Sequence, residues 1–177
     1  MAQNGSADVV IQGNWVGVHP DGGAMPQTYG IAIAGDDTLV GDLGGLDNGL
    51  ANVVGNSHQA GIELSTPANG AQILGNWIGT TPEGESIGTN GFGVRVLGAG
   101  PHAVGGWPDW DATQVAAGGN VIAHNQNGGI GLLQSWSEGV SVRGNFMYGH
   151  VDVPGVDLAA DGITPNDFGD VDTGSNR

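Results

Sequence analysis

The chain has 177 residues, a length typical of one domain, and its net charge of −15 comes from 18 acidic residues against three arginines. Without a basic surface, neither nucleic acid nor an anionic membrane is an expected partner. The absence of cysteine excludes disulfides and thiolate chemistry. No apolar run reaches the roughly 18 residues of a membrane span, so membrane insertion is not expected. The 36 glycines have no Gly-x-y period, which excludes collagen and indicates many tight corners.

A Gly-Asn motif flanked by apolar residues recurs along the chain, as IQGNWVG at 11–17, ILGNWIGT at 73–80 and VRGNFMYG at 142–149. Asparagine tolerates the left-handed conformation and hydrogen-bonds to backbone, so Asn14, Asn76 and Asn145 are predicted at one structural corner. Asp42 and Gly106 stand where the intervening repeats are expected to place asparagine. The sequence therefore predicts an asparagine column that is broken at alternate repeats.

A second motif, glycine followed by apolar-x-apolar, alternates with the first. It is read as GIAI at 30–33, GIEL at 61–64, GVRV at 93–96, GIGL at 129–132 and GVDL at 155–158. Each run has the period of two that is typical of a strand with one buried face. A coil of three short strands cannot bury its apolar face alone, whereas stacked coils form a continuous core. The pattern predicts an all-β parallel β-helix of about five to six coils of three short strands, with one inward column formed by Ile31, Ile62, Val94, Ile130 and Val156.

The polar inserts alternate between two corners of the predicted coils. Coils one, three and five carry them at 19–28, 81–90 and 150–154, and coils two and four carry them at 43–50 and 107–118. We expect a lead-in at 1–8, the β-helix at 9–160 and an acidic tail or cap at 161–177. The chain starts almost inside the first coil without a signal peptide, so we expect an excised segment of a longer protein.

Segments such as GNWIGT at 75–80, HAVGG at 102–106 and GNVIAHN at 119–125 resemble the parallel β-helix repeats of large bacterial secreted and surface proteins, whose superfamily fold is that of the pectate lyases. The segment 156–174 resembles one that closes such arrays. The resemblance implies an extracellular or cell-surface location. It also implies a right-handed helix, in agreement with the general rule for parallel crossovers. His124 departs from the repeat, which would have glycine there.

The predicted outward column contains Ala32, Glu63, Arg95, Gly131 and Asp157. Stacked coils are about 4.8 Å apart, so Glu63 and Arg95 are expected to be neighbours. In pectate-lyase-like enzymes the acid, base and arginine lie on such a face, and the resemblance makes Glu63, Arg95 and Asp157 the catalytic candidates. The alternative is a surface ion pair with no chemistry.

Aromatic and acidic residues are interleaved in and near the inserts, at Trp107, Asp109, Trp110, Asp111 and Trp136. Indole rings stack on sugar rings while carboxylates accept hydrogen bonds from hydroxyl groups, so these residues are candidates for carbohydrate binding. Tryptophans that fold back and cover the side of the helix are the alternative. The histidines lack metal-site spacing and are expected as polar corner residues. Shared metal ligation by His58 and His124, which follow related strands two coils apart, is the alternative.

The end of the chain is dense in oxygen ligands, and Asp161, Asp167, Asp170 and Asp172 are the candidates for a Ca²⁺ site. A solvated acidic tail is the alternative. The leading function is a structural or adhesive β-helix module of a secreted or cell-surface protein, with carbohydrate binding as one form of adhesion. The alternative function is a polysaccharide lyase, hydrolase or epimerase. Open strand edges at the ends of a solenoid invite pairing, so end-to-end self-association is also expected unless the tail covers one end.

Overall fold

The computed structural model of the protein describes residues 7–19, 21–87, 91–106, 118–133, 137–159 and 161–163. Within these ranges the chain is all-β apart from one 3₁₀ turn at Leu46–Asn48. No described helix is long and apolar enough to cross a membrane. The described strands, in chain order, are β1 Val10–Ile11, β2 Trp15–Val16, β3 Gln27–Ile33, β4 Leu39–Gly41, β5 Val53–Val54, β6 Ser57–Leu64, β7 Gln72–Leu74, β8 Trp77–Ile78, β9 Phe92–Val96, β10 Ala103–Val104, β11 Val121–Ala123, β12 Gly128–Leu132, β13 Ser141–Val142, β14 Phe146–Tyr148 and β15 Val156–Leu158.

The strands form three parallel sheets of five, and every third strand along the chain belongs to the same sheet. The first sheet has the order β1-β4-β7-β10-β13, the second β2-β5-β8-β11-β14 and the third β3-β6-β9-β12-β15. Each coil contributes one strand to each sheet, which gives five described coils stacked along one axis. The predicted right-handed parallel β-helix of three strands per coil is confirmed.

Apolar columns fill the interior along the whole axis. The predicted column of Ile31, Ile62, Val94, Ile130 and Val156 is confirmed, because strand pairing places these residues directly over one another. The first four are buried and Val156 packs against the same cluster from the last coil. The columns of the other two sheets meet this one to form a single core. Stacking therefore supplies the burial that no single coil achieves.

A continuous asparagine ladder occupies the corner between the first and second sheets. Asn14, Asn52, Asn76, Asn120 and Asn145 stack one per coil, and the Nδ2 amide of each donates to Oδ1 of the next at 2.8–3.0 Å. The backbone N–H of each also donates to that same Oδ1, at 3.0–3.4 Å. The three inner members are fully buried. Every coil is thus joined to its neighbour by side-chain hydrogen bonds as well as by strand pairing.

The prediction of a broken asparagine column was wrong. Asp42 and Gly106 do not occupy the corner in coils two and four; Asn52 and Asn120 do. The inserts of these coils lie between the first-sheet strand and the corner, so the ladder asparagine comes after the insert and not directly after the strand. The predicted alternation of inserts between two corners is confirmed, because coils one, three and five carry theirs between the second and third sheets.

The two end coils of the described β-helix carry exposed apolar side chains. Trp15 is 57 % exposed in the first coil and Phe146 is 63 % exposed in the last, and both belong to the second sheet. Trp15 pairs with Val53 and Phe146 with Val121, in each case on one side only within the described residues. Both end coils therefore present apolar surface along an edge of the sheet.

Candidate functional site

The candidate site begins with the outward column of the third sheet, which strand pairing arranges as the sequence predicts. The order along the axis is Ala32, Glu63, Arg95, Gly131 and Asp157, each the direct partner of the next. Successive side chains of a strand point to opposite faces of the sheet. Because the residues on either side of this column point into the core, the column itself points away from the core.

Glu63 and Arg95 form a largely enclosed ion pair. Their side chains are only 7 % and 13 % exposed, and the guanidinium Nε donates to Glu63 Oε2 at 2.8 Å while Nη2 donates to the same oxygen. The other carboxylate oxygen, Oε1, accepts a hydrogen bond from the Ser65 hydroxyl at 2.7 Å. Both oxygens of Glu63 are therefore occupied within the fold.

All three nitrogens of the Arg95 guanidinium donate hydrogen bonds. Nη1 donates to Gln59 Oε1 at 2.8 Å and Nη2 donates to the Tyr29 hydroxyl at 3.1 Å, with the guanidinium carbon 5.4 Å from the centre of the tyrosine ring. Because Tyr29, Gln59 and Arg95 belong to three successive coils, the arginine ties these coils together. We name Tyr29, Gln59, Glu63, Ser65 and Arg95 the arginine cluster.

Asp157 lies apart from the arginine cluster. Two strand spacings, or about 10 Å, separate it from Arg95 along the sheet, and Gly131 stands between them. The ring of Phe92 lies against Gly131, so close that any side chain at that position would collide with it. The structure thus brings together Glu63 and Arg95 and does not bring Asp157 to them.

The Asp157 carboxylate is buried, with 3 % of the residue exposed. Its Oδ2 accepts a hydrogen bond from the backbone N–H of Gly162 at 3.1 Å. Its Oδ1 is enclosed and has no hydrogen-bond partner among the described residues. This unpaired oxygen is the least satisfied atom of the outward column.

The other candidates fall mostly outside the described residues. Asp161 is described, and it is exposed in the turn that follows β15. Among the described residues, no three histidine or acidic side chains gather in a group that could hold a metal. Outside the described ranges lie all five candidates for carbohydrate binding, Trp107, Asp109, Trp110, Asp111 and Trp136, and three of the metal candidates, Asp167, Asp170 and Asp172.

Two histidines are more enclosed than sequence reasoning expected. His102 is buried and its Nδ1 accepts from the backbone N–H of Ala71 at 3.3 Å, while Nδ1 of His150 accepts from the backbone N–H of Asn125 at 3.2 Å. Burial lowers the pKa of both imidazoles below its ordinary value, and the neighbouring His124 acts in the same direction on the pKa of His150. Neutral rings are therefore favoured at both positions.

Sequence reasoning missed the partners that enclose the column. Tyr29, Gln59 and Phe92 lie just before the Gly-apolar-x-apolar runs, and the third-sheet strands begin earlier than those runs indicate. A register shift between Gln27 and Tyr29 also hides the period of two there. Extending each strand toward its N-terminus would have placed Tyr29 and Gln59 within reach of a long arginine side chain.

No protein-family model, no curated protein and no solved structure matches this chain.

Proposed function

We propose that this chain is a structural or adhesive β-helix module of a secreted or cell-surface protein. The observation that carries the proposal is the asparagine ladder, which runs through all five described coils together with continuous apolar columns. Such a rod keeps a fixed length and keeps its inserts at fixed positions. Inserts at two corners can then vary without disturbing the stacking.

The arginine cluster supports structural use of the outward column. A catalytic acid or base needs a free position within hydrogen-bond reach of a substrate proton. Glu63 and Arg95 instead direct their polar atoms at each other and at Ser65, Gln59 and Tyr29. Their contacts join three coils, which is what a spacer under load requires.

For the adhesive form of the proposal, we assign carbohydrate binding to the tryptophans in and near the inserts. The test is a glycan array with the parent chain and with Trp107→Ala, Trp110→Ala and Trp136→Ala, each alone. Trp15→Ala is the matched control, because this tryptophan is exposed in the first coil and belongs to none of the inserts. We expect the insert variants to lose glycan retention while the control keeps it. Equal retention by all variants would refute binding through these residues, and a parent that retains no glycan would leave the spacer role alone standing.

A carbohydrate-active enzyme with a pectate-lyase-like fold is the second candidate. It is favoured by one observation, the shared outward column of Glu63, Arg95 and Asp157. The assay is depolymerisation of acidic and neutral polysaccharides by the parent, Glu63→Gln and Asp157→Asn. Turnover by the parent that both variants abolish without a change in melting temperature would establish the enzyme in place of the module. Retention without turnover favours the module.

A further inference from the structure

We infer that Asp157 and Asp161 form a calcium site in the turn that closes the last described coil, with Asp157 as its buried ligand. The inference concerns the coil itself and does not depend on carbohydrate binding or catalysis.

The turn after β15 folds back over the carboxylate of Asp157. The backbone N–H of Ala159 donates to the carbonyl of Leu132 at 2.8 Å, which keeps the chain on the preceding coil just past the strand. Ala159 has φ 90° and Gly162 has φ 97°, which are left-handed backbone conformations of the kind found in turns. The hydrogen bond from Gly162 N–H to Asp157 Oδ2 then fixes the returning chain against the carboxylate. Asp161 directly precedes Gly162 in the chain, so its backbone adjoins the N–H group that contacts Asp157.

The carboxylate of Asp157 is without a counter-charge in the described structure. It forms no ion pair there, and Oδ1 is enclosed without a hydrogen-bond partner. The arginine of the same column is held by Glu63 beyond Phe92 and Gly131. An ionised carboxylate that is taken out of water needs a compensating charge, a proton or a metal ion.

A hard divalent cation fits these atoms better than a transition metal does. Both side chains offer carboxylate oxygens, and no imidazole, thiolate or thioether belongs to the turn 158–163. Calcium accepts six to eight oxygen ligands in flexible geometry and combines carboxylates with backbone carbonyls and water. Magnesium demands a nearly ideal octahedron and is expected to bind more weakly. Asp157 supplies the enclosed ligand, and the exposed Asp161 leaves the ion a path from solvent.

The experiment is titration calorimetry of the metal-free full chain with CaCl₂, together with thermal melts in EDTA and in millimolar Ca²⁺. The variants are Asp157→Asn and Asp161→Asn. The control is Asp152→Asn, an exposed aspartate of the same coil that has positive φ, a conformation that asparagine also tolerates. We expect the parent to bind Ca²⁺, the control to match it, and each site variant to bind at least about tenfold more weakly, since calcium affinity follows the number of charged ligands.

The melts separate a cation site from a merely structural aspartate. Asparagine at 157 keeps an oxygen to accept from Gly162 N–H and removes the uncompensated charge. In EDTA, Asp157→Asn should therefore melt no lower than the parent, and the rise in melting temperature that Ca²⁺ gives the parent should disappear. The inference is overturned if the parent binds no Ca²⁺. It is equally overturned if Asp157→Asn binds Ca²⁺ as tightly as the parent.

Discussion

Replacing Asn76 by alanine tests whether the asparagine ladder holds the coils together. Asn76 is the central member and is completely buried. The two N–H groups of its Nδ2 are shared among three acceptors, Val40 O at 2.9 Å, Leu74 O at 3.0 Å and Asn120 Oδ1 at 2.9 Å. Its Oδ1 accepts from Nδ2 of Asn52 at 2.9 Å and from the Asn52 backbone N–H at 3.4 Å. The substitution removes all of these bonds while the backbone pairing of the coils remains.

The expected loss of stability depends on which partners of Asn76 keep another hydrogen bond after the substitution. Leu74 O still accepts from the Asp42 backbone N–H, and Asn120 Oδ1 still accepts from the Asn76 backbone N–H. The remaining partners lose a bond inside the core, where each hydrogen bond contributes about 1 kcal/mol net and an unsatisfied group costs more. We expect Asn76→Ala to lower the free energy of unfolding by about 3–5 kcal/mol. For a chain of this length, that corresponds to a fall of roughly 6–20 °C in melting temperature.

The matched control is Asn14→Ala, at the exposed end of the same ladder. Its side chain donates to Gln12 O and to Asn52 Oδ1. When the side chain is removed, solvent can replace the first bond, and the Asn14 backbone N–H still donates to Asn52 Oδ1. The control should cost about 1 kcal/mol or less. Asn76→Asp adds a second test, because a carboxylate cannot donate to Val40 O or to Asn120 Oδ1 and introduces a buried charge. Thermal and urea unfolding measure all three variants. Equal, small losses for Asn14→Ala and Asn76→Ala would refute the structural role of the ladder.

Four further predictions follow. Arg95→Met should lower the free energy of unfolding by roughly 3–5 kcal/mol, because it leaves Glu63 enclosed without its partner. The double variant with Glu63→Gln should lose less stability. Urea unfolding in which the double variant loses more stability would contradict this. The folded-state pKa of His150 lies below the ordinary imidazole value of 6.5. The stability that depends on the neutral ring is therefore fully present above pH 6.5, and it is lost as the pH falls from there through the folded-state pKa. The melting temperature of the parent should therefore fall more between pH 7.5 and 5.5 than that of His150→Gln, and parallel falls would contradict the burial argument. If Asp170 and Asp172 of the tail add calcium ligands beyond Asp157 and Asp161, replacing both by alanine should reduce the rise in melting temperature that Ca²⁺ gives; an unchanged rise would leave the tail as solvated chain. The exposed edges of the end coils predict end-to-end association. Sedimentation should then show a mass that increases with protein concentration. A monomer at every concentration, with both edges bare, would contradict the prediction.

The fold was predictable because its signals are periodic. Apolar residues at every second position fix which side of each third-sheet strand is buried, and the repeat of that pattern fixes the stacking of Ile31 on Ile62. The column of Glu63 and Arg95 followed from the same register. The ladder members Asn52 and Asn120 were missed because inserts shift them away from the strand they follow, and a fixed spacing cannot detect a residue whose distance from the motif varies.

The enclosure of the column could not be read from the sequence in the same way. It depends on where side chains of neighbouring strands turn after they leave the sheet. The ring of Phe92 covers Gly131 from the preceding coil, and Tyr29 reaches Arg95 across two coils. Such contacts join residues 39 and 66 positions apart in the chain and depend on side-chain length and rotamer, which no periodic pattern records.

The coil imposes constraints that limit where function can lie. Each coil must supply an asparagine at the ladder corner and apolar side chains to the inward columns, so those positions cannot also carry a ligand. In the outward column of the third sheet, the arginine cluster already occupies the first three coils and Phe92 covers the fourth. Only Asp157 keeps an unsatisfied polar atom in that column, at its last position. We therefore expect recognition by the proposed module at the inserts of the two corners and at the turn that closes the last coil, where the chain is free of the repeat.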